Sequence, residues 1–125
     1  MGRDYRSLIA WQKADDLAVA AYQATRSFPR EEIYGLRSQM QRAAVSAPVN
    51  IAEGSGIRTP KDRRASFDIS MGELNELEYY IHLSRRLEYF DSETEARLET
   101  LRAEAARTLD GLLKATEKDI SNFKA

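Results

Sequence analysis

His82 is the only histidine in the chain, four residues after Glu78 on a segment with helical period. A di-iron carboxylate bundle takes a Glu-x-x-His pair from each of two helices and a glutamate from each of two more. The spacing here is wrong and the second histidine does not exist. His82 therefore reads as a surface or interface residue, and no metal ligands are assigned. Without cysteine there is no thiolate site, disulfide frame or Cys nucleophile. Gly54-Ser55-Gly56 has the outline of a nucleophile elbow, but that turn needs a preceding strand and a histidine to take the proton. It reads instead as a helix stop and hinge. It is no phosphate loop either, because the Gly-Lys-Ser/Thr ending is missing. Glu73, Glu76 and Glu78 would do acid–base work only as a buried pair; the expectation is one solvated arc of a helix, or salt bridges between subunits. No catalytic residue and no cofactor is expected.

The basic cluster Arg58, Lys61, Arg63 and Arg64 is the one chemical signal with a functional reading. Asp62 lies inside it, leaving an excess of three positive charges over seven residues. Arg37 and Arg42 stand on the preceding helical segment. Two readings remain open: a phosphate-binding edge for RNA or DNA, and ordinary solubilising charge. The whole chain lends the first no help, since 19 basic side chains face 20 acidic ones and create no global cationic field.

Four amphipathic helices must position these residues. Over residues 7–27, Leu8, Trp11, Leu17, Ala18, Ala21, Tyr22 and Thr25 form one stripe, with Asp4 or Ser7 as cap and Phe28-Pro29 as stop. The second helix begins near Glu31 or Leu36 and runs to Glu53, with Leu36, Met40, Ala43, Ala44, Ala47 and Ile51 on one face. Pro48 lies inside it and predicts a kink without a break; Asn50 is placed to bond a freed carbonyl. Gly54 and Gly56 are expected to close it in the left-handed conformation. The third spans residues 60–89, with Thr59 as cap, Pro60 at its first position, and a stripe from Phe67 through Leu74, Leu77 and Ile81 to Leu87. The fourth opens with the capping box Ser92–Glu95 and runs over residues 92–117, before a fraying tail at 118–125. Short connections make antiparallel neighbours, so the fold is all-α: a single domain over residues 1–125, an up-down-up-down four-helix bundle with a Pro-kinked second helix. The alternative is a three-helix bundle with the first helix swapped onto another subunit.

Tyr79 and Tyr80 are adjacent, so one must leave the subunit's core, and an aromatic there marks a protein interface more readily than a base-stacking platform. Ile69, Tyr80 and Leu83 lie off the third helix's main stripe, which points to self-association. The charged N-terminus leads into no apolar run of signal-peptide or membrane-spanning length, so a soluble, cytoplasmic protein is expected, with no membrane partner.

The segments Leu8-x-x-Trp11-Gln12-Lys13-Ala14, Phe28-Pro29, Tyr34-Gly35-Leu36, Arg42-Ala43-Ala44-Val45-Ser46, Asn50-Ile51-Ala52-Glu53-Gly54 and Gly72-Glu73-Leu74-x-Glu76-Leu77-Glu78 resemble a bacterial four-helix-bundle family. Its members are encoded in intervening sequences of 23S ribosomal RNA genes and elsewhere, and they include the accessory protein of diversity-generating retroelements. The match covers about Leu8 to Tyr89. It implies a homo-oligomeric ring, commonly a pentamer, with no catalytic residues. Its retroelement branch implies nucleic-acid and protein partners engaged through a basic surface. Glu73 replaces a serine common in the family and adds negative charge to the third helix.

Overall fold

The structure is a computed structural model and describes residues 4–123. A 3-10 turn at Tyr5–Ser7 leads into α1 (Ile9–Thr25), and a second 3-10 turn at Arg30–Glu32 leads into α2 (Leu36–Ser55). The two long helices α3 (Pro60–Arg86) and α4 (Ser92–Asn122) follow. Each helix packs on its chain neighbours, α4 closes back on α1, and neither diagonal pair of helices brings Cα atoms within 8 Å. Among the described residues this is the expected four-helix bundle, with α1 packed on its own chain rather than swapped away.

The core forms where the four stripes meet. Leu17, Met40, Ile51, Phe67, Leu74, Leu77, Leu98 and Leu109 are fully buried. Ala43, Ala44 and Ala47 are fully buried beside them, and their small side chains let α3 come close to α2. Ser70 exploits that closeness: its hydroxyl donates to the Ala47 carbonyl oxygen at 2.8 Å. Two stripe residues do not reach the core, since Tyr22 and Leu87 are exposed. Leu87 is the residue that ends α3, whereas Tyr22, between fully buried Ala21 and Thr25, lies at the edge of its stripe and faces outward.

Pro48 is buried in an uninterrupted helix, and Ile51 beyond it is fully buried. The freed Ala44 carbonyl is not the acceptor for Asn50, whose amide donates to the Ser46 carbonyl at 2.9 Å and the Ser46 hydroxyl at 3.0 Å. The glycines also act differently from expectation. No described glycine has positive φ; Gly54 lies inside α2, and Gly56 ends it with φ −89°. The residue in the left-handed region is Glu88, with φ 62°. It closes α3 in a Schellman motif: Tyr89 N–H donates to the Ser84 carbonyl at 2.9 Å and Glu88 N–H to that of Arg85 at 3.0 Å.

The caps shift by a residue or lose their hydroxyl. Asp4 caps the first 3-10 turn, and α1 starts from Leu8 without a side-chain cap. Asp91, not Ser92, caps α4, accepting from Thr94 N–H at 2.8 Å. Thr59 precedes α3 as expected, but its hydroxyl donates to Asp62 Oδ2 at 2.6 Å instead of accepting from the helix. α4 runs past its expected end at 117 and continues to Asn122, with Thr116 buried and Ile120 half-buried; residues 124–125 of the expected fraying tail lie outside the described residues.

Candidate functional site

The basic elbow is built by the α2–α3 turn. Gly56 and Ile57 N–H groups bond the carbonyls of Glu53 and Gly54 at 3.2 and 3.0 Å, completing α2. Four residues later Pro60 opens α3. This puts Arg58, Lys61, Arg63 and Arg64 at one end of the bundle, where the last turns of the antiparallel α4 pass alongside. Two of the four meet acids there. Arg64 Nη1 lies 2.6 Å from Glu117 Oε1, and Arg63 Nη2 lies 3.8 Å from Asp119 Oδ2. Hydrogen bonding to Glu117 and its charge raise the Arg64 pKa above its ordinary value. Arg63 is anchored further, donating from Nη1 to the Ile57 carbonyl at 3.0 Å. Arg58 and Lys61 are exposed and form no ion pair among the described residues.

Arg37 and Arg42 are not gathered into this patch. Arg42 precedes Gly56 by 14 residues on one helix, a separation of about 21 Å at 1.5 Å per residue; Arg37 is farther. Arg42 turns across to α3 instead, donating to Gln39 Oε1 at 2.9 Å and lying 3.5 Å from Glu76 Oε1. The α4 acids that temper the elbow escaped the sequence reading because Glu117 and Asp119 lay at and beyond the expected end of that helix.

The acidic run on α3 divides between two grooves. Glu78 faces α4, where Arg102 Nη2 lies 3.1 Å from its Oε2. Glu76 faces α2, accepting from the Tyr80 hydroxyl as well as pairing with Arg42. Glu73 also lies on the α2 side, and its Oε2 is buried without a hydrogen-bond partner. Burial, reinforced by the neighbouring Glu76 charge and opposed by Arg42, pushes the Glu73 carboxyl above the usual range. The expected single solvated arc is thus replaced by two inter-helix contacts and one partly desolvated acid. On the same helix Tyr79 points outward and Tyr80 packs half-buried against the core. His82 is exposed, with the Tyr79 ring centroid 6.1 Å away. The described residues contain no group of three or more potential metal ligands.

Arg102 was not legible as a core residue. It is buried on α4, where Glu99 and Glu78 bracket its guanidinium: Nε donates to Glu99 Oε2 at 2.8 Å, and Nη2 donates to Glu78 Oε2 at 3.1 Å. Glu32 is a second unanticipated link. It accepts from Leu36 N–H at 3.0 Å and from the Tyr89 hydroxyl at 2.8 Å, tying the start of α2 to the α3–α4 turn. Those two donors hold its pKa below the ordinary value.

Among the described residues no helix is long and apolar enough to cross a membrane. No curated protein matches the chain. A solved structure from Bacteroides thetaiotaomicron, a protein of unknown function from the S23 ribosomal protein family, is similar with a TM-score of 0.76 and 23% identity. The similarity covers 85% of this chain and 99% of that one, and establishes likeness of fold. The family model for 23S rRNA-intervening sequence protein matches residues 6–111. With most of its length matched, the chain belongs to the 23S rRNA-intervening sequence protein family.

Proposed function

We propose that this protein is a non-enzymatic, homo-oligomeric accessory or scaffold, with five subunits as the number its family resemblance implies. The observation that carries this reading is a set of large apolar side chains left exposed on the outward faces of α1, α2 and α3. Val45 and Val49 stand one turn apart on α2, with Val19 and Tyr22 exposed on α1 and Ile69 on α3. Tyr80 and Leu83, which the sequence also marked for an interface, are taken up by the core instead. Apolar side chains such as these stabilise association at about 25 cal/mol per Å² removed from water. Light scattering coupled to size exclusion tests this: the wild type is expected to run as an oligomer and V45E/V49E as a folded monomer. A monomeric wild type at micromolar concentration refutes it.

Within that assembly, nucleic acid is the ligand of the elbow, bound weakly and without sequence preference. Arg58 and Lys61 supply open charge, and Arg63 and Arg64 supply charge tempered by α4. Repetition around a ring converts several modest sites into useful avidity, and phosphate contacts make binding fall steeply with salt. Retention of RNA or DNA at about 50 mM salt, lost in R63E/R64E, supports the reading. The rival reading is a protein-interaction module that binds no nucleic acid. The pairing of Arg63 and Arg64 with Asp119 and Glu117 favours it, and absence of retention by the wild type selects it.

A further inference from the structure

Beneath the elbow, the end of α2, the first turns of α3 and the last turns of α4 enclose a cavity of about 410 Å³. That volume falls within the range of small-ligand pockets. At about 30 Å³ per atom, the share of a liquid water molecule, it holds roughly a dozen non-hydrogen atoms. Its covered wall is apolar, formed by buried Phe67 with half-buried Ile57 and Leu112. Its open rim carries Arg58, Arg63 and Asp119. Two positive charges against one negative leave the rim a net charge of +1.

The donors in this cavity are unevenly committed. Ser55 and Thr116 line it, but each hydroxyl already donates to its own helix, to the carbonyls of Ala52 and Leu112, both at 2.8 Å. Arg63 is different. Its side chain is only 24% exposed, and its hydrogen bond to the Ile57 carbonyl fixes the guanidinium plane. Asp119 stands 3.8 Å from Nη2, beyond hydrogen-bond reach. Among the described residues, most of the fork that suits a carboxylate or phosphate is therefore left without an acceptor. Arg58 offers a second guanidinium with no ion pair among the described residues.

We propose that this cavity binds a small amphipathic organic anion: a carboxylate or phosphate monoester, gripped by Arg63 and Arg58, whose apolar body lies against Phe67, Leu112 and Ile57. The site shares Arg58 and Arg63 with the elbow, but its apolar wall is one that a nucleic-acid backbone does not need, so the proposal goes beyond the polyanion reading. Asp119 competes with the ligand for Arg63 and limits affinity.

Calorimetric titration of the full chain with phenyl phosphate, benzoate, inorganic phosphate and phenol tests the proposal. At about 50 mM salt, at least one of the two amphipathic anions is expected to saturate at about millimolar or lower concentration, roughly tenfold tighter than inorganic phosphate or phenol. Which of the two binds more tightly distinguishes ester from carboxylate ligands. D119N is expected to tighten binding several-fold, and R63Q to weaken it about tenfold. Ala115 also lines the cavity; A115F puts a ring there without removing a charge and is expected to block the amphipathic anions while leaving RNA retention as in the wild type. Circular dichroism and Tm confirm that each variant is folded. No saturable binding below about 10 mM overturns the proposal. So does weaker binding by D119N or unchanged binding by folded A115F. If RNA is retained while the small anions fail, the cavity proposal falls and the elbow reading stands.

Discussion

Gly54 on α2 meets the Phe67 ring on α3 so closely that a Cβ on Gly54 would lie 2.7 Å from Phe67 Cε1. The same Cβ would stand 3.0 Å from Ser66 Cβ. The glycine is required by packing and not by backbone conformation, since its φ is negative. Phe67 is fully buried and also lines the cavity beneath the elbow. G54A is expected to cost about 1–3 kcal/mol by overpacking, read as a lower urea midpoint at unchanged m-value. The better intrinsic helix propensity of alanine pulls the other way by about 1 kcal/mol. A variant clearly more stable than wild type contradicts this contact.

Glu88 occupies a left-handed position that favours glycine. The Schellman bonds around it are already formed, so only the steric cost of its side chain is at stake. E88G is expected to stabilise the protein by about 0.5–1 kcal/mol, seen as a raised Tm. A lowered Tm shows that the Glu88 side chain contributes more than its backbone strain costs.

Glu32 and Glu73 predict opposite pH signatures. The folded-state pKa of Glu32 is lowered, so its contribution is present above the unfolded value of about 4.3 and is lost as pH falls through the folded value. The folded-state pKa of Glu73 is raised, so its ionisation costs stability as pH rises from about 4.3 through the folded value. E32Q is therefore expected to lower Tm at pH 7, and E73Q to raise it. Both differences shrink when the wild-type carboxyls are protonated. Tm differences that are independent of pH exclude this origin.

Arg102 is nearly buried, whereas its partners Glu78 and Glu99 are more open, with side chains 59% and 39% exposed. Removing both carboxylates strands a buried guanidinium, so E78Q/E99Q is expected to cost about 2 kcal/mol or more. R102M removes the charge, keeps much of the volume and leaves two acids in water, at a cost of about 1 kcal/mol or less. Chemical denaturation of the two variants gives the ordering, and a less stable R102M reverses it.

Glu117 tempers the elbow through Arg64. E117Q is expected to increase RNA retention several-fold at low salt and to steepen its salt dependence, because one more free cation meets phosphate. Unchanged retention in E117Q shows that Arg64 lies outside the binding surface.

The sequence by itself determined the helices and their inward faces. Leu36, Met40, Ala43, Ala44, Ala47 and Ile51 recur at helical spacing, and all are buried; period and side-chain size suffice for that. Pro60 likewise marked the start of α3 from its fixed φ alone. Short connections then fixed which helices lie side by side. Tertiary structure decided what depends on distances between segments far apart in the chain. The sequence showed Gly54 as a stop, and only the approach of Phe67 shows why a side chain is excluded. It showed Arg63 and Arg64 as free charge, and only the passage of α4 brings Asp119 and Glu117 to them across more than fifty residues. It showed Glu73, Glu76 and Glu78 as one acidic run, and only the packing of α3 between α2 and α4 sends them into two grooves. Local period dictates which side of a helix is apolar. The partners of a charged side chain, and the space beneath it, are set by the neighbouring helix, whose register no local signal encodes.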